Sequence, residues 1–452
     1  MTATTEEDAS DGKRAAAGPL ALLGSRRFGP FFATQFLSAF NDSALKNALV
    51  LMIAYDADRS AGAAQLLIPL AGGLFILPFF LCSATAGQFA DETDKARLVR
   101  LVKLVELPVM LAAAAGVLAG NAVMLLALLF VMGVEAAFFG PIKYAILPDI
   151  LAPDELVLGT ALVEAGTFLA ILCGTIAGML IAARHGTVMV AMLIVAVALA
   201  AWSASLAIPA TGAATARRPP RWNLVAATAE ILREAARDKL PFRAMLGISW
   251  FWLAGATYLS QFPAYVRFTL GAREAVVTLF LIVFSVGIAL GSLACSRLLG
   301  GRLSARTVPW GALGIALCSI DLWCASPHPA AAQRLAGLLP FLAAPAHWRI
   351  LADLLGISLS GGLFIVPLYT LLQTTSARER RARTIAANNV VNAGAMVVSA
   401  LSTMVLLAAG IGVAGLFLLT GAATLAVAAL FRLALPGFAT GSPVLQGQAD
   451  SP

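Results

Sequence analysis

The chain is short of charge. Only 12% of its 452 residues are Asp, Glu, Lys or Arg, about half the share usual in soluble domains. Its three histidines, His185, His328 and His347, fall in separate connections without ligand spacing, which argues against a metal site. Its five cysteines, Cys82, Cys173, Cys295, Cys318 and Cys324, sit in or beside apolar runs with no paired spacing, so they read as small core residues, not a disulfide framework. No phosphate-binding glycine loop, dinucleotide fingerprint or hydrolytic triad occurs. ATP hydrolysis and enzyme catalysis are therefore not expected, and no cofactor is implied. The net charge of +7 reads as basic loops between apolar segments, so nucleic acid is not an expected partner.

What the chain has is apolar length. It is 60% hydrophobic, with a mean hydropathy of +0.87, the composition of an all-α polytopic membrane protein. A spanning helix needs about 20 mostly apolar residues, and the sequence predicts twelve spans. The first six are Phe31–Tyr55, Ala64–Gln88, Leu98–Leu118, Ala122–Leu147, Leu158–Ala183 and Gly186–Ala207. The second six are Arg243–Val266, Ala275–Leu299, Val308–Ala325, Ile350–Gln373, Thr384–Ala409 and Val413–Leu435. The first run is too long and too polar to be a cleaved signal peptide and is expected to stay. The segment from Ser326 to Trp348 has room for an interfacial helix. Lys and Arg gather in the connections on the side of the amino terminus, which predicts both termini in the cytoplasm.

The expected organisation is a tail (1–29), a six-helix bundle (30–208), a linker (209–242), a second bundle (243–436) and a closing tail (437–452). In the linker, Leu224, Val225, Ile231, Leu232, Ala235 and Ala236 share a helical stripe opposite Glu230, Arg233, Glu234 and Arg237, predicting an amphipathic helix along the cytoplasmic membrane face. The halves echo each other. Pro141 through Glu164-Ala165-Gly166 is answered by Pro367 through Asn392-Ala393-Gly394 at a near-constant offset, as in parallel repeats with a site between them.

Polar residues inside the spans mark that site, because a charge at mid-bilayer is costly unless it faces a partner or a water-filled cavity. Gln35, Ser38, Asp42 and Lys46 step by three or four along one face of the first span, with Asn41 beside them. Glu135 and Lys143 lie in the fourth span, Glu164 in the fifth with Thr160 and Thr167, and Asn388 and Asn392 in the eleventh. A cavity with both signs of charge suits a zwitterion: lysines would take a phosphate, and Asp42, Glu135 or Glu164 an ammonium. From Ala244 to Val266 the seventh span has no charged residue, so Tyr258 or Gln261 would serve there. Lys103 and Glu106, one turn apart, read as a snorkelling or simple pair.

Between the second and third spans, Gly87, Asp91, Lys95 and Arg97 resemble the cytoplasmic signature of the major facilitator superfamily, implying a gate contact. Glu92 and Asp94 depart from that pattern. More narrowly, QFLSAFNDSALKNALV (Gln35–Val50), GPIKYAILPDIL (Gly140–Leu151), DELVLGTALVEAGTFLAILCGTIAG (Asp154–Gly178) and AANNVVNAGAMV (Ala386–Val397) resemble the lysophospholipid transporter family. They also resemble the transporter part of acyltransferase/acyl-carrier-protein synthetase fusions, whose enzyme domains this sequence is expected to lack. The resemblance implies a major facilitator fold of twelve helices in two six-helix bundles. It also implies a bacterial inner-membrane flippase that carries lysophosphatidylethanolamine-type lipids to the cytoplasmic leaflet for reacylation. Asn41, Asp42, Lys46, Lys143, Glu164 and Asn392 match its polar positions. The expected partners are the lysophospholipid, membrane lipids and a cytoplasmic acyltransferase, with the chain itself a monomer. Two other readings stand beside this one: a proton-coupled exporter of amphipathic compounds, and a non-transporting membrane partner of an acyltransferase.

Overall fold

The computed structural model describes residues 18–54, 61–212, 223–327 and 335–434. Among them the helices run α1 (Pro19–Leu23), α2 (Gly29–Ala54), α3 (Ala61–Glu92), α4 (Lys95–Leu118), α5 (Ala122–Ala145), α6 (Leu147–Ile150) and α7 (Leu156–Leu206). They continue with α8 (Leu224–Arg237), α9 (Lys239–Ala264), α10 (Glu274–Leu299), α11 (Val308–Ala325), α12 (Leu338–Ala343), α13 (Pro345–Thr375), α14 (Arg381–Ala408) and α15 (Val413–Ala434). His328 and most of both tails lie outside the described residues.

Nine of these helices, among the described residues, are long and apolar enough to cross a membrane. The side chains are sorted as a bilayer demands. Along α4, Leu101, Leu104, Val105 and Leu111 are exposed at helical spacing, while Lys103 and Glu106 on the other face are 2% and 1% exposed. Apolar groups outside and charges inside is the reverse of a soluble helix. Cys173 and Cys324 are exposed and only Cys295 is fully buried, so two of the cysteines expected in the core sit on the outer surface.

The 51 residues of α7 are two legs. Gly186 has φ 77° and ψ −175°, a backbone state that glycine adopts without a Cβ clash. One leg packs against α2 so tightly that a Cβ on Gly174 would strike the Phe40 carbonyl and one on Gly178 the Ala44 carbonyl. The other leg brings the Ile194 carbonyl 3.1 Å from Asn41 Nδ2. Both legs therefore flank the same turn of α2, which requires the chain to reverse at Gly186, between the fifth and sixth expected spans.

The basic connections gather at one end. There Arg100 in α4 bonds the Ser205 and Ile208 carbonyls, Arg27 pairs with Glu155 at 2.5 Å, and the start of α14 meets the end of α3. The linker helix α8 starts on an Asn223 cap, whose side chain accepts from the Ala226 amide. Its apolar stripe is covered by protein. Ala227, Ile231 and Ala235 are buried in one apolar cluster with Ala84 of α3, Met245 of α9 and Ala386, Ala387 and Val390 of α14, while Leu224 and Val225 are exposed. The segment between α11 and α13 does contain a short helix, α12, where Phe341 stacks on His347 at 4.0 Å between ring centroids.

Candidate substrate cavity

A cavity of about 360 Å³ lies where the two halves face each other. One wall is α2, which presents Gln35, Ser38, Asp42 and Lys46, the whole polar stripe. Neither Asp42 nor Lys46 has an ion-pair or hydrogen-bond partner among the described residues; the Lys46 ammonium sits 5.8 Å from the centroid of the Phe75 ring. The facing wall is α5, with Glu135, Phe139, Gly140, Lys143 and Tyr144. Lys143 Nζ donates to Thr167 Oγ1 at 2.5 Å, and that hydroxyl lies 3.2 Å from Gln35 Oε1. The second half contributes Trp252, Tyr369, Asn389 and Asn392; Asn392 Oδ1 accepts from Ser249 Oγ at 2.7 Å. Phe75, Ile76 and Phe79 of α3 with Met396 of α14 form an apolar flank.

A buried charge cluster begins in this wall and extends behind it. Lys103 Nζ is 2.7 Å from Glu106 and 2.6 Å from Glu135, so the neighbouring pair legible on α4 is a three-membered network that reaches α5. Its lysine does not snorkel. Asn41 Nδ2 donates to Glu106 at 3.2 Å, which places Asn41 behind the cavity wall and not on it.

Toward the basic end the halves close on each other. The Tyr144 and Tyr369 rings stack with centroids 4.1 Å apart and planes at 8°. Trp252 Nε1 donates to the Tyr369 hydroxyl at 3.0 Å, and the Tyr144 hydroxyl donates to the Glu164 carboxylate. Below this floor, Asp91 accepts from the Ala382 amide (2.8 Å), the Arg383 amide (3.2 Å) and Arg383 Nε (3.1 Å). It is an anion held at the amino terminus of α14, where unpaired amides and the helix dipole favour negative charge. Gly87 permits this approach, since a Cβ there would lie 2.6 Å from Ala386 Cβ and 3.0 Å from Arg383 Cα. Lys95 pairs with Asp149 at 2.8 Å, and Arg381 reaches the same carboxylate at 3.6 Å. Arg97 stays outside this network among the described residues: its side chain is exposed, and its amide is engaged by Asp94 Oδ1. Burial opposes ionisation of Asp94, yet the amides of Arg97 and Thr211 hold its carboxyl below the usual range.

Of the residues singled out in the sequence, the structure brings Gln35, Asp42, Lys46, Glu135, Lys143 and Asn392 together around the cavity. Four lie elsewhere. Asn41 is behind the wall, Glu164 is buried beneath Tyr144, Asn388 is fully buried beside Tyr369, and Tyr258 is buried in the second half with its hydroxyl 2.6 Å from Ser319 Oγ. Tyr258 makes a contact within the second bundle because α9 turns that face toward α11. Lys103, Tyr144, Trp252, Tyr369 and Asn389 line the cavity without having been singled out for it. The repeat contained a signal for two of them, because a tyrosine follows each repeated proline closely, Tyr144 after Pro141 and Tyr369 after Pro367.

Opposed helical halves, a central cavity with both signs of charge and contacts that close one end define a membrane carrier. A sequence model of the Major Facilitator Superfamily matches residues 31–400, and the chain belongs to that superfamily of multi-pass transporters. Within it, the chain belongs to the lysophospholipid transporter family. It is 31% identical over 380 residues to the lysophospholipid transporter LplT of Cronobacter sakazakii, an alignment covering 82% of this chain and 85% of that protein. It is also 31% identical over 366 residues to LplT of Salmonella newport, covering 79% and 80%. Among solved structures, a bacterial homologue of the iron transporter ferroportin in an outward-facing state matches with a TM-score of 0.64 at 12% identity, covering 91% of this chain and 99% of that one. The major facilitator transporter FucP in its outward conformation also matches at 0.64 with 14% identity, covering 90% and 98%. At such identities these two share the fold alone.

Proposed function

We propose that this chain carries lysophospholipids of the lysophosphatidylethanolamine type across the bacterial inner membrane to the cytoplasmic leaflet, by alternating access of its two halves. The observation that carries this reading is the cavity in which Asp42 and Lys46 stand without an ion-pair or hydrogen-bond partner among the described residues, beside an apolar flank of Phe75, Ile76, Phe79 and Met396. A single-chain zwitterionic lipid has matching parts: an ammonium for Asp42, a phosphate for Lys46 and Lys143, and a tail for the flank. The names of the relatives support a lysophospholipid as the cargo. Twelve spans are read by adding α2, α9 and the second leg of α7 to the nine apolar helices. Basic residues in the connections at one end support an orientation with both termini inside, in which that end, closed by Tyr144–Tyr369 and Asp91–Arg383, is the cytoplasmic one. The cavity in this state thus serves lipid from the outer leaflet. Delivered lysolipid would be reacylated by a cytoplasmic acyltransferase.

Asp42→Ala tests the site. A charge-assisted contact contributes about 1.5–3 kcal/mol, so transport of lysophosphatidylethanolamine should fall by roughly 10- to 100-fold with normal membrane expression. Transport by this variant at the wild-type rate refutes the assignment of Asp42.

A further inference from the structure

Among the described residues, Lys143 is the one lysine of the cavity wall whose hydrogen-bond partner is a neutral hydroxyl, and an acidic side chain stands close by without pairing with it. Glu164 and Thr167 are three residues apart on α7, so they neighbour each other on one helix face. Lys143 Nζ engages Thr167 Oγ1, within electrostatic reach of Glu164. Glu164 is fully buried. One of its oxygens accepts the Tyr144 hydroxyl, and the other has no partner among the described residues. A buried carboxylate with an unsatisfied oxygen favours any conformation that supplies a donor. The cation within electrostatic reach is Lys143, which adjoins Tyr144 in sequence and shares the last turn of α5.

Tyr144 is also the residue that ties this pair to the state of the carrier. Its ring is stacked on Tyr369 of the other half, so the basic end cannot open without separating the two rings. Separation frees Tyr144 to move, and with it the hydroxyl that occupies Glu164.

Resting on the lysophospholipid reading above, we propose that Glu164 is the residue that displaces the substrate phosphate from Lys143 when the carrier opens at its basic end. While the Tyr144–Tyr369 stack is closed, Tyr144 keeps Glu164 occupied and Lys143 is available to the phosphate. When the stack parts, Glu164 loses its tyrosine donor and takes Lys143, so the phosphate loses its cation on the side where the lipid must leave. Glu164 is then a positioning residue that acts through Lys143. The exchange is of ion-pair partners only, with no covalent step.

The test uses lysophosphatidylethanolamine with the full-length chain in lipid nanodiscs for binding and in spheroplasts for uptake. Wild type is compared with Glu164→Gln, Tyr144→Phe and the double variant. Glu164→Gln should bind the lipid as tightly as wild type or tighter, yet transport about ten-fold more slowly, because release is impaired. Tyr144→Phe should weaken binding about five-fold or more, because the freed carboxylate competes for Lys143, and adding Glu164→Gln should restore it. That rescue is not expected of a carboxylate with a merely structural role. The proposal is overturned if Glu164→Gln transports at the wild-type rate, or if the double variant binds no better than Tyr144→Phe. A wild-type chain that binds no lysolipid instead overturns the substrate reading on which the proposal stands.

Discussion

Replacing Asp91 by asparagine should unlock the basic end without unfolding the chain. The carboxylate is 5% exposed and accepts three hydrogen bonds from the first turn of α14, one of them from the Arg383 guanidinium. Hydrogen bonds to charged groups contribute about 1.5–3 kcal/mol each, and an anion at a helix amino terminus adds up to about 1 kcal/mol. An asparagine at this position would keep one acceptor oxygen for the Ala382 amide but would turn an NH2 group toward the Arg383 donors. Arg383 would keep Glu234 of α8, 3.8 Å away, which offsets part of the loss. The net cost to the closed arrangement is about 2–4 kcal/mol, a population shift of roughly 30- to 700-fold toward opening. Arg97 and Arg378 have exposed side chains on opposite sides of this contact, so spin labels there report the separation by double electron–electron resonance. Asp91→Asn should add a longer distance that wild type lacks. An unchanged distance distribution in a folded, membrane-inserted variant would refute the view that these bonds hold the end closed.

Three further perturbations separate the cavity from its supports. Gly87→Val places a branched side chain where even a Cβ lies 2.6 Å from Ala386 Cβ; overpacking costs about 1–3 kcal/mol, and the same spin-label pair should report opening, with a wild-type distance counting against the close-packing argument. Lys103→Met leaves Glu106 and Glu135 buried without their shared cation, which should cost about 3–5 kcal/mol and lower the thermal unfolding midpoint in detergent; an unchanged midpoint contradicts the network. Tyr258→Phe loses only the bond to Ser319, worth about 1 kcal/mol, and should transport lysolipid at the wild-type rate; a ten-fold loss would return Tyr258 to the substrate site.

What the sequence carried best was local. The four residues Gln35, Ser38, Asp42 and Lys46 could be placed on one face from helical spacing alone, and all four line the cavity. Asn41, only one residue away, points about 100° around the helix from Asp42 and so meets Glu106 and Ile194 instead; adjacency in sequence misled where helical angle decides. Lys103 and Glu106 were recognisable as neighbours on α4, but Glu135 is on another helix, and no periodicity links the two. The linker helix showed its apolar stripe plainly, while the sequence could not tell whether lipid or protein would cover it; α3, α9 and α14 do. The Tyr144–Tyr369 stack joins residues from opposite halves. Only the repeat hinted at it, through a tyrosine placed just after each repeated proline.

The central claim is tested most directly by uptake of radiolabelled lysophosphatidylethanolamine into spheroplasts that lack their own lysolipid transporter, with and without this chain. Product would be extracted as diacyl lipid, and an uncoupler added in parallel. Uptake should depend on the chain and survive the uncoupler. No gain over empty vector, with the protein folded in the membrane, would contradict it, and uptake that collapses with the uncoupler would point instead to a proton-coupled carrier.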